Sequence, residues 1–192
     1  MERKILNFFQ EIEKLKSTLR HNWTRTGRQE SSAEHTWRAT LLLLVLQDTF
    51  KIKVDILKAV KMLLIHDIPE LIDGDIPGFI KKEAHYQQEL MHAKKVFSLL
   101  PKPLYKEYYQ LFIEFEKAKS LEARLAYTVD RIESQLQHLD SGSRYWGAEE
   151  FSQLLNWPNN IIKKLGNKDI KEFWQLIKKD LQKEKRKHRK KR

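Results

Sequence analysis

Four side chains able to bind a metal or move a proton fall within ten residues: His66, Asp67, Glu70 and Asp75. They follow directly on the apolar run Leu63-Leu64-Ile65, which reads as a buried segment. Unpaired charge delivered into an apolar setting is costly, and a divalent cation would account for it. Imidazole nitrogen and carboxylate oxygen suit Zn, Mn, Fe or Co, and the chain has no cysteine to supply a softer ligand. His35 and Asp130 are the further candidates, in two other segments. Together with His66 and Asp67 they make two imidazoles and two carboxylates, and water completing such a site would be acidified. Spacing alone does not make these segments converge. A histidine near a helix start also serves as a capping or surface group, and Asp130 alone reads equally as an exposed helix residue.

The elements that must position these groups are helical almost throughout. Ile5, Phe8, Phe9, Ile12, Leu15 and Leu19 fall on one face of a first amphipathic helix. The polar stretch His21 to Ser31 reads as a loop. Ser31 and Glu34 then form a Ser-x-x-Glu capping box that opens a helix through about Gln47, with His35 in its first turn. Trp37 and Leu41 to Leu46 read as core. Asp55 caps a helix that must break near Asp67, because Pro69 tolerates only a turn or a helix start. Gly74, Pro77 and Gly78 mark a loop. Helices follow over about Lys81 to Leu99 and Pro103 to Lys117. Ser120 then caps a long one whose stripe is Leu121, Leu125, Val129, Ile132, Leu136 and Leu139, with Asp130 at its border beside Glu133. Glu122 and Arg124 read as ion-pairing residues that position this helix, and His85, His92 and His138 lack matching partners. Shorter helices, interrupted at Pro158 and Gly166, lead to a last one over about Asp169 to Lys185. No segment alternates convincingly at period two, so the expectation is an all-α fold.

Length and composition fit one soluble domain, since 192 residues can bury a sizeable core. We expect residues 1–182 to form it and 183–192 to be a basic tail, disordered or a solvated, frayed helix end, with weak polyanion binding as the alternative reading. The net charge is +11, but residues 183–192 hold eight Lys or Arg against one Glu. The body is only mildly basic, so a specific nucleic-acid partner is not expected. No apolar run approaches a membrane span and no signal segment opens the chain, which makes the cytoplasm the default location.

The ordered set Arg28-Gln29-Glu30-Ser31-Ser32-Ala33-Glu34-His35-Thr36-Trp37, His66-Asp67-Ile68-Pro69-Glu70, Gly74-Asp75-Ile76-Pro77 and Ser120-Leu121-Glu122-Ala123-Arg124 leading to Asp130 resembles the HD-domain metal-dependent phosphohydrolases. More narrowly, it resembles the HD-domain 5'-deoxynucleotidases. The likeness runs from about residue 20 to about residue 137, the expected core of the metal site. It implies a compact helical bundle, usually a homodimer, with one divalent metal ion (Mn, Co, Zn, Fe or Mg) held by His35, His66, Asp67 and Asp130. Glu70 matches the acidic residue that acts as general acid/base with the attacking water. Asp75 matches a second acid, a proton donor to the leaving oxygen or a sugar contact.

Arg20 falls where those enzymes carry a substrate-contacting arginine, although it also reads as a solvated charge at a helix end. In them a tryptophan follows directly, whereas here His21 does, and the nearest tryptophan, Trp23, is the candidate for that substrate contact. Lys81 reads either as a phosphate contact or as a surface lysine. The resemblance thus implies removal of phosphate from a nucleoside 5'-monophosphate, a deoxyribonucleotide in particular. Two alternatives stand beside it: hydrolysis of another ester, such as a guanosine polyphosphate or cyclic dinucleotide, and a nucleotide-binding protein with a vestigial metal site.

Overall fold

The computed structural model describes residues 1–191, and side chains through His188. Helix α1 (Glu2–Ile12) passes through a 3₁₀ turn (Glu13–Lys16) into a small antiparallel hairpin, β1 (Leu19–Trp23) and β2 (Gln29–Ser31). Leu19 lies opposite Ser31 and Trp23 opposite Gln29, with an irregular register between them. The turn closes through Thr24 N–H donating to the Arg28 carbonyl at 2.7 Å, and Gly27 takes the positive φ of 89° that a side chain would resist. The hairpin corrects the expectation of a loop here. Its strands are short and polar, so no alternating apolar pattern announces them.

Helix α2 (Ser32–Phe50) starts at the expected capping box: Ser31 Oγ accepts from Glu34 N–H at 3.3 Å, and Glu34 Oε2 accepts from Ser31 N–H at 3.0 Å. Asp55 caps α3 (Ile56–Ile65) by accepting from Lys58 N–H at 3.0 Å. The chain then leaves the helix at His66, turns through Pro69, and makes the single turn α4 (Glu70–Asp73). After an irregular segment come α5 (Glu83–Phe97) and α6 (Lys102–Lys117). Ser120 caps the central helix α7 (Leu121–Ser141), accepting from Ala123 N–H at 3.2 Å. Short helices α8 (Ala148–Gln153) and α9 (Asn159–Leu165) precede α10 (Lys168–Lys191).

Helices α2, α3 and α7 pack on one another, and α7 also meets α6, α9, α10 and β1. Leu43, Met62, Leu63, Leu125, Ala126, Val129 and Ile132 are fully buried at this junction. Burying one such large aliphatic side chain contributes roughly 1.5–3 kcal/mol. The helix that carries Asp130 is thus the best-anchored element of the fold.

Two further expectations change. Only part of Leu41 to Leu46 is core: Leu43 and Leu46 are buried, but Leu41, Leu44 and Val45 are exposed and Trp37 is 66% exposed. Periodicity places these residues on a helix but cannot say that the other face goes uncovered. Residues 183–191 continue α10. Glu184 anchors them by accepting from Ser143 Oγ at 3.0 Å, and the His188 ring lies 4.7 Å from that of Phe151. Arg192, the last residue of the expected basic tail, lies outside the described residues. Finally, Glu122 and Arg124 make no ion pair among the described residues. Glu122 accepts from Asp55 N–H at 3.3 Å and Arg124 donates to the Lys164 carbonyl at 3.0 Å, so both tie α7 to backbone.

Candidate active site

His35 in the first turn of α2, His66 and Asp67 after α3, and Asp130 midway along α7 converge. His35 Nε2 lies 3.0 Å from Asp130 Oδ1, and His66 Nε2 lies 3.6 Å from that same oxygen. Asp67 Oδ1 is 2.9 Å from His66 Nε2, and its Oδ2 is 3.8 Å from His35 Nε2. All four side chains are buried. His66 Nδ1 sits 2.7 Å from the Leu63 carbonyl, which can only accept, so Nδ1 carries the proton in the neutral ring. Its Nε2 is then a lone pair aimed at carboxylate oxygens, with no hydrogen-bond partner among the described residues. Acceptors facing acceptors in a buried place fit a cation. With protons alone to serve that purpose, burial opposes charging of His66, but Asp67 and Asp130 outweigh it and push its pKa well above the usual range. Burial and the Arg20 guanidinium likewise oppose charging of His35, yet Glu133 and Asp130 push it up to about 10.

A second layer orients these groups. Glu133, one turn beyond Asp130 on α7 and fully buried, hydrogen-bonds His35 Nδ1. That directs the other ring nitrogen at the cluster. Arg38 Nη1 lies 3.4 Å from Glu133 Oε1. Glu30, buried beside them, has its pKa raised to about 7 by burial and by Glu133. The spacing Asp130-x-x-Glu133 puts both carboxylates on one helix face, a signal legible in the sequence although their separate roles were not.

Arg20 is no solvated helix end. It lies on β1, buried, with Nη1 2.9 Å from Asp67 Oδ2, 3.8 Å from Glu70 Oε2 and 3.9 Å from Asp75 Oδ1. Glu70 accepts from Ser32 Oγ at 2.7 Å. Burial, with Asp67 and Asp75 adding, raises the Glu70 pKa well above the carboxylate range. Asp75 goes the other way. Burial works against its charge, but Arg20 and His21 hold its pKa below the usual value, and His21 donates its N–H to Asp75 Oδ2 at 3.2 Å. Two neighbouring carboxyls are thus driven apart, Glu70 toward holding a proton and Asp75 toward remaining ionised.

Lys81 lines the same cavity as these residues, with its ammonium 2.5 Å from Glu89 Oε1, so it is neither a plain surface lysine nor a free cation. Trp23 does not join them: its ring stacks on Tyr145 at 4.8 Å. Ser32, Glu133, Arg131 and Trp157 belong to the site or its walls and were not singled out from sequence.

The family described as "HD domain" matches residues 12–174. Similar proteins include human "5'-deoxynucleotidase HDDC2", 33% identical over 139 residues, covering 70% of this chain and 67% of that one. The Schizosaccharomyces pombe "5'-deoxynucleotidase hdd1" is 27% identical over 166 residues, 82% of each chain. A solved structure from Magnetospirillum magnetotacticum MS-1, described as a "Predicted metal-dependent phosphohydrolase", superposes with a TM-score of 0.79 at 26% identity, covering 92% of this chain and 93% of that one.

Proposed function

Because the chain belongs to the HD-domain family, we infer that it is a metal-dependent phosphohydrolase removing the 5'-phosphate from deoxyribonucleoside monophosphates. The observation that carries this reading is the convergence of His35, His66, Asp67 and Asp130, with the lone pair of His66 Nε2 unpartnered among them. We assign these four as ligands of one divalent cation, with Mn, Co, Zn, Fe and Mg all compatible with such donors. When bound, the cation supplies Lewis acidity toward phosphate oxygen and toward water.

The remaining steps fall to the chain. Glu70, acting as an ionised carboxylate once the cation offsets its neighbours' charge, takes the proton of the water that attacks phosphorus. As the bond between phosphorus and the 5'-oxygen breaks, Glu70 returns the proton to the leaving oxygen. Ser32 and Arg20 fix the orientation of Glu70. Asp75, kept ionised, contacts the sugar as an acceptor and is not the proton donor. Arg20 and Asp75 form the sugar side of the cavity. His21 at the position of the relatives' tryptophan weakens, without abolishing, the preference for deoxyribose.

Phosphate release from dAMP, AMP, guanosine tetraphosphate and a cyclic dinucleotide, each with Mn, Co, Mg, Zn and Fe(II), tests this. dAMP should turn over faster than AMP, and the last two substrates should release nothing comparable. Release from the polyphosphate alone would replace the reading, and nucleotide binding without release under any metal would make the site vestigial.

We further propose that a second copy of the chain covers the apolar face of α1 and α2. Phe9, Trp37, Leu41, Leu44 and Leu64 line a groove there of about 520 Å³, and such a contiguous apolar surface is unusual on a monomer. No helix among the described residues is long and apolar enough to cross a membrane, which is compatible with the cytoplasmic setting we propose.

A further inference from the structure

Three cations line the cavity beside the four converging ligands: Arg20, Lys81 and Arg131. Arg20 faces four carboxylates, Glu30, Asp67, Glu70 and Asp75. Lys81 is paired with Glu89. Arg131 is different. Its side chain is only 13% exposed, yet its one hydrogen bond among the described residues is the donation from Nη2 to the Tyr127 hydroxyl. Its nearest carboxylate oxygen is Asp130 Oδ2, 3.6 Å from Nε, beyond hydrogen-bond length. A guanidinium offers five N–H donors in a rigid plane, so a largely buried one with a single hydrogen bond is underpaired.

The site holds this guanidinium firmly all the same. Its carbon lies 3.8 Å from the Trp157 ring centre and 4.6 Å from that of Tyr127. The backbone at Gly78 closes on the same spot. A side chain there would start 2.4 Å from Arg131 Nη1 and 2.2 Å from Trp157 Cζ2, so only glycine lets the segment between α4 and α5 approach. Trp157 comes from the turn between α8 and α9, so three distant parts of the chain fix one cation. Glu116 also lines this cavity; burial and Glu89 raise its pKa to about 7 against the pull of Lys81 and Arg131, and it makes no hydrogen bond to Arg131 among the described residues.

We infer that Arg131 holds a phosphate oxygen of the substrate and that Trp157 is the positioning residue that keeps its guanidinium aimed. The placement matches the chemistry. Asp130 Oδ1 faces the two imidazoles while Oδ2 faces Arg131, so one carboxylate separates the guanidinium from the assigned metal position. A phosphate oxygen bound on that side of Asp130 would meet the N–H donors that Tyr127 leaves unused, and an anionic oxygen is the acceptor a guanidinium suits. This inference rests on the reading of the site as a phosphomonoesterase, but it concerns phosphate itself and not the nucleoside.

The test is calorimetric titration of orthophosphate into the Mn-loaded full chain, with Mn content and deoxyadenosine binding measured on the same samples. Arg131→Gln should weaken orthophosphate binding about tenfold or more, the scale of one charged hydrogen bond, with Mn content and deoxyadenosine affinity unchanged. Trp157→Ala should weaken orthophosphate in the same direction, and Trp157→Phe should restore most of the loss, because an aromatic face is what the guanidinium needs. Equal orthophosphate affinity in wild type and Arg131→Gln overturns the inference. So does loss of Mn together with phosphate, which would make Arg131 only a support for Asp130. Failure of Trp157→Phe to rescue Trp157→Ala removes the positioning role. A wild type that binds orthophosphate through Arg131 but hydrolyses no nucleoside monophosphate would sink the proposed substrate and leave this inference standing.

Discussion

Ser32 Oγ donates to Glu70 Oε2 at 2.7 Å, joining the first turn of α2 to the single-turn helix after Pro69. The bond crosses the site, because His35 stands three residues after Ser32 and Asp67 three before Glu70. It leaves one carboxylate oxygen of Glu70 occupied. Ser32→Ala frees that carboxylate to turn, and should lower kcat about 10–100-fold with little change in bound metal. An unaltered kcat, measured by phosphate release at saturating substrate, would show that Arg20 alone orients Glu70.

Glu133 acts through His35. Its carboxylate fixes the ring so that Nε2 faces the other donors, and it is fully buried against Arg38. Glu133→Gln should weaken metal affinity about 10–100-fold, the usual cost of losing such a partner. Competition with a chelator of known affinity reads this directly, and a variant with wild-type metal affinity would mean that packing alone orients His35.

His138 gives the fold an acid sensitivity of its own. Burial, with His21 and Arg20 adding, lowers its pKa to about 3 from the 6.5 of a free imidazole. Between those values the unfolded chain takes up a proton that the native state refuses. Stability from this group is therefore complete above pH 6.5 and is lost as pH falls toward 3. His138→Phe should show a smaller drop in Tm between pH 7 and pH 5 than wild type. Parallel Tm profiles for the two proteins would contradict the shift.

Trp37, at 66% exposure the largest uncovered ring of the α1–α2 face, should report on self-association. Sedimentation of the wild type should give a dimer, and Trp37→Asp should shift it toward monomer while keeping its helical signal. A monomeric wild type would leave the face without a second copy.

The sequence carried much of this site because its decisive parts are local. His66-Asp67-x-x-Glu70 is a turn bounded by an apolar helix and a proline, and Ser31 with Glu34 announces the helix that carries His35. Asp130 was legible as a helical residue at the edge of an apolar stripe. What depended on distant packing was not legible. Arg20 looks like a solvated charge until β1 turns it into a ring of carboxylates. Trp23 looks like the relatives' missing tryptophan until the hairpin stacks it on Tyr145. Arg131 and Trp157 lie 26 positions apart, and nothing in either neighbourhood signals that they meet. The contact between Glu184 and Ser143 spans 41 positions, and no local pattern announces it.

The most direct test of the account is metal-dependent phosphate release from dAMP by the wild type and by Asp67→Asn. Each is stripped of metal and then titrated with Mn. The wild type should regain turnover in step with about one equivalent of bound metal per chain, and Asp67→Asn should regain neither metal nor activity. Full turnover by the stripped wild type, or by Asp67→Asn, would contradict the assignment of these four residues as the centre of the chemistry.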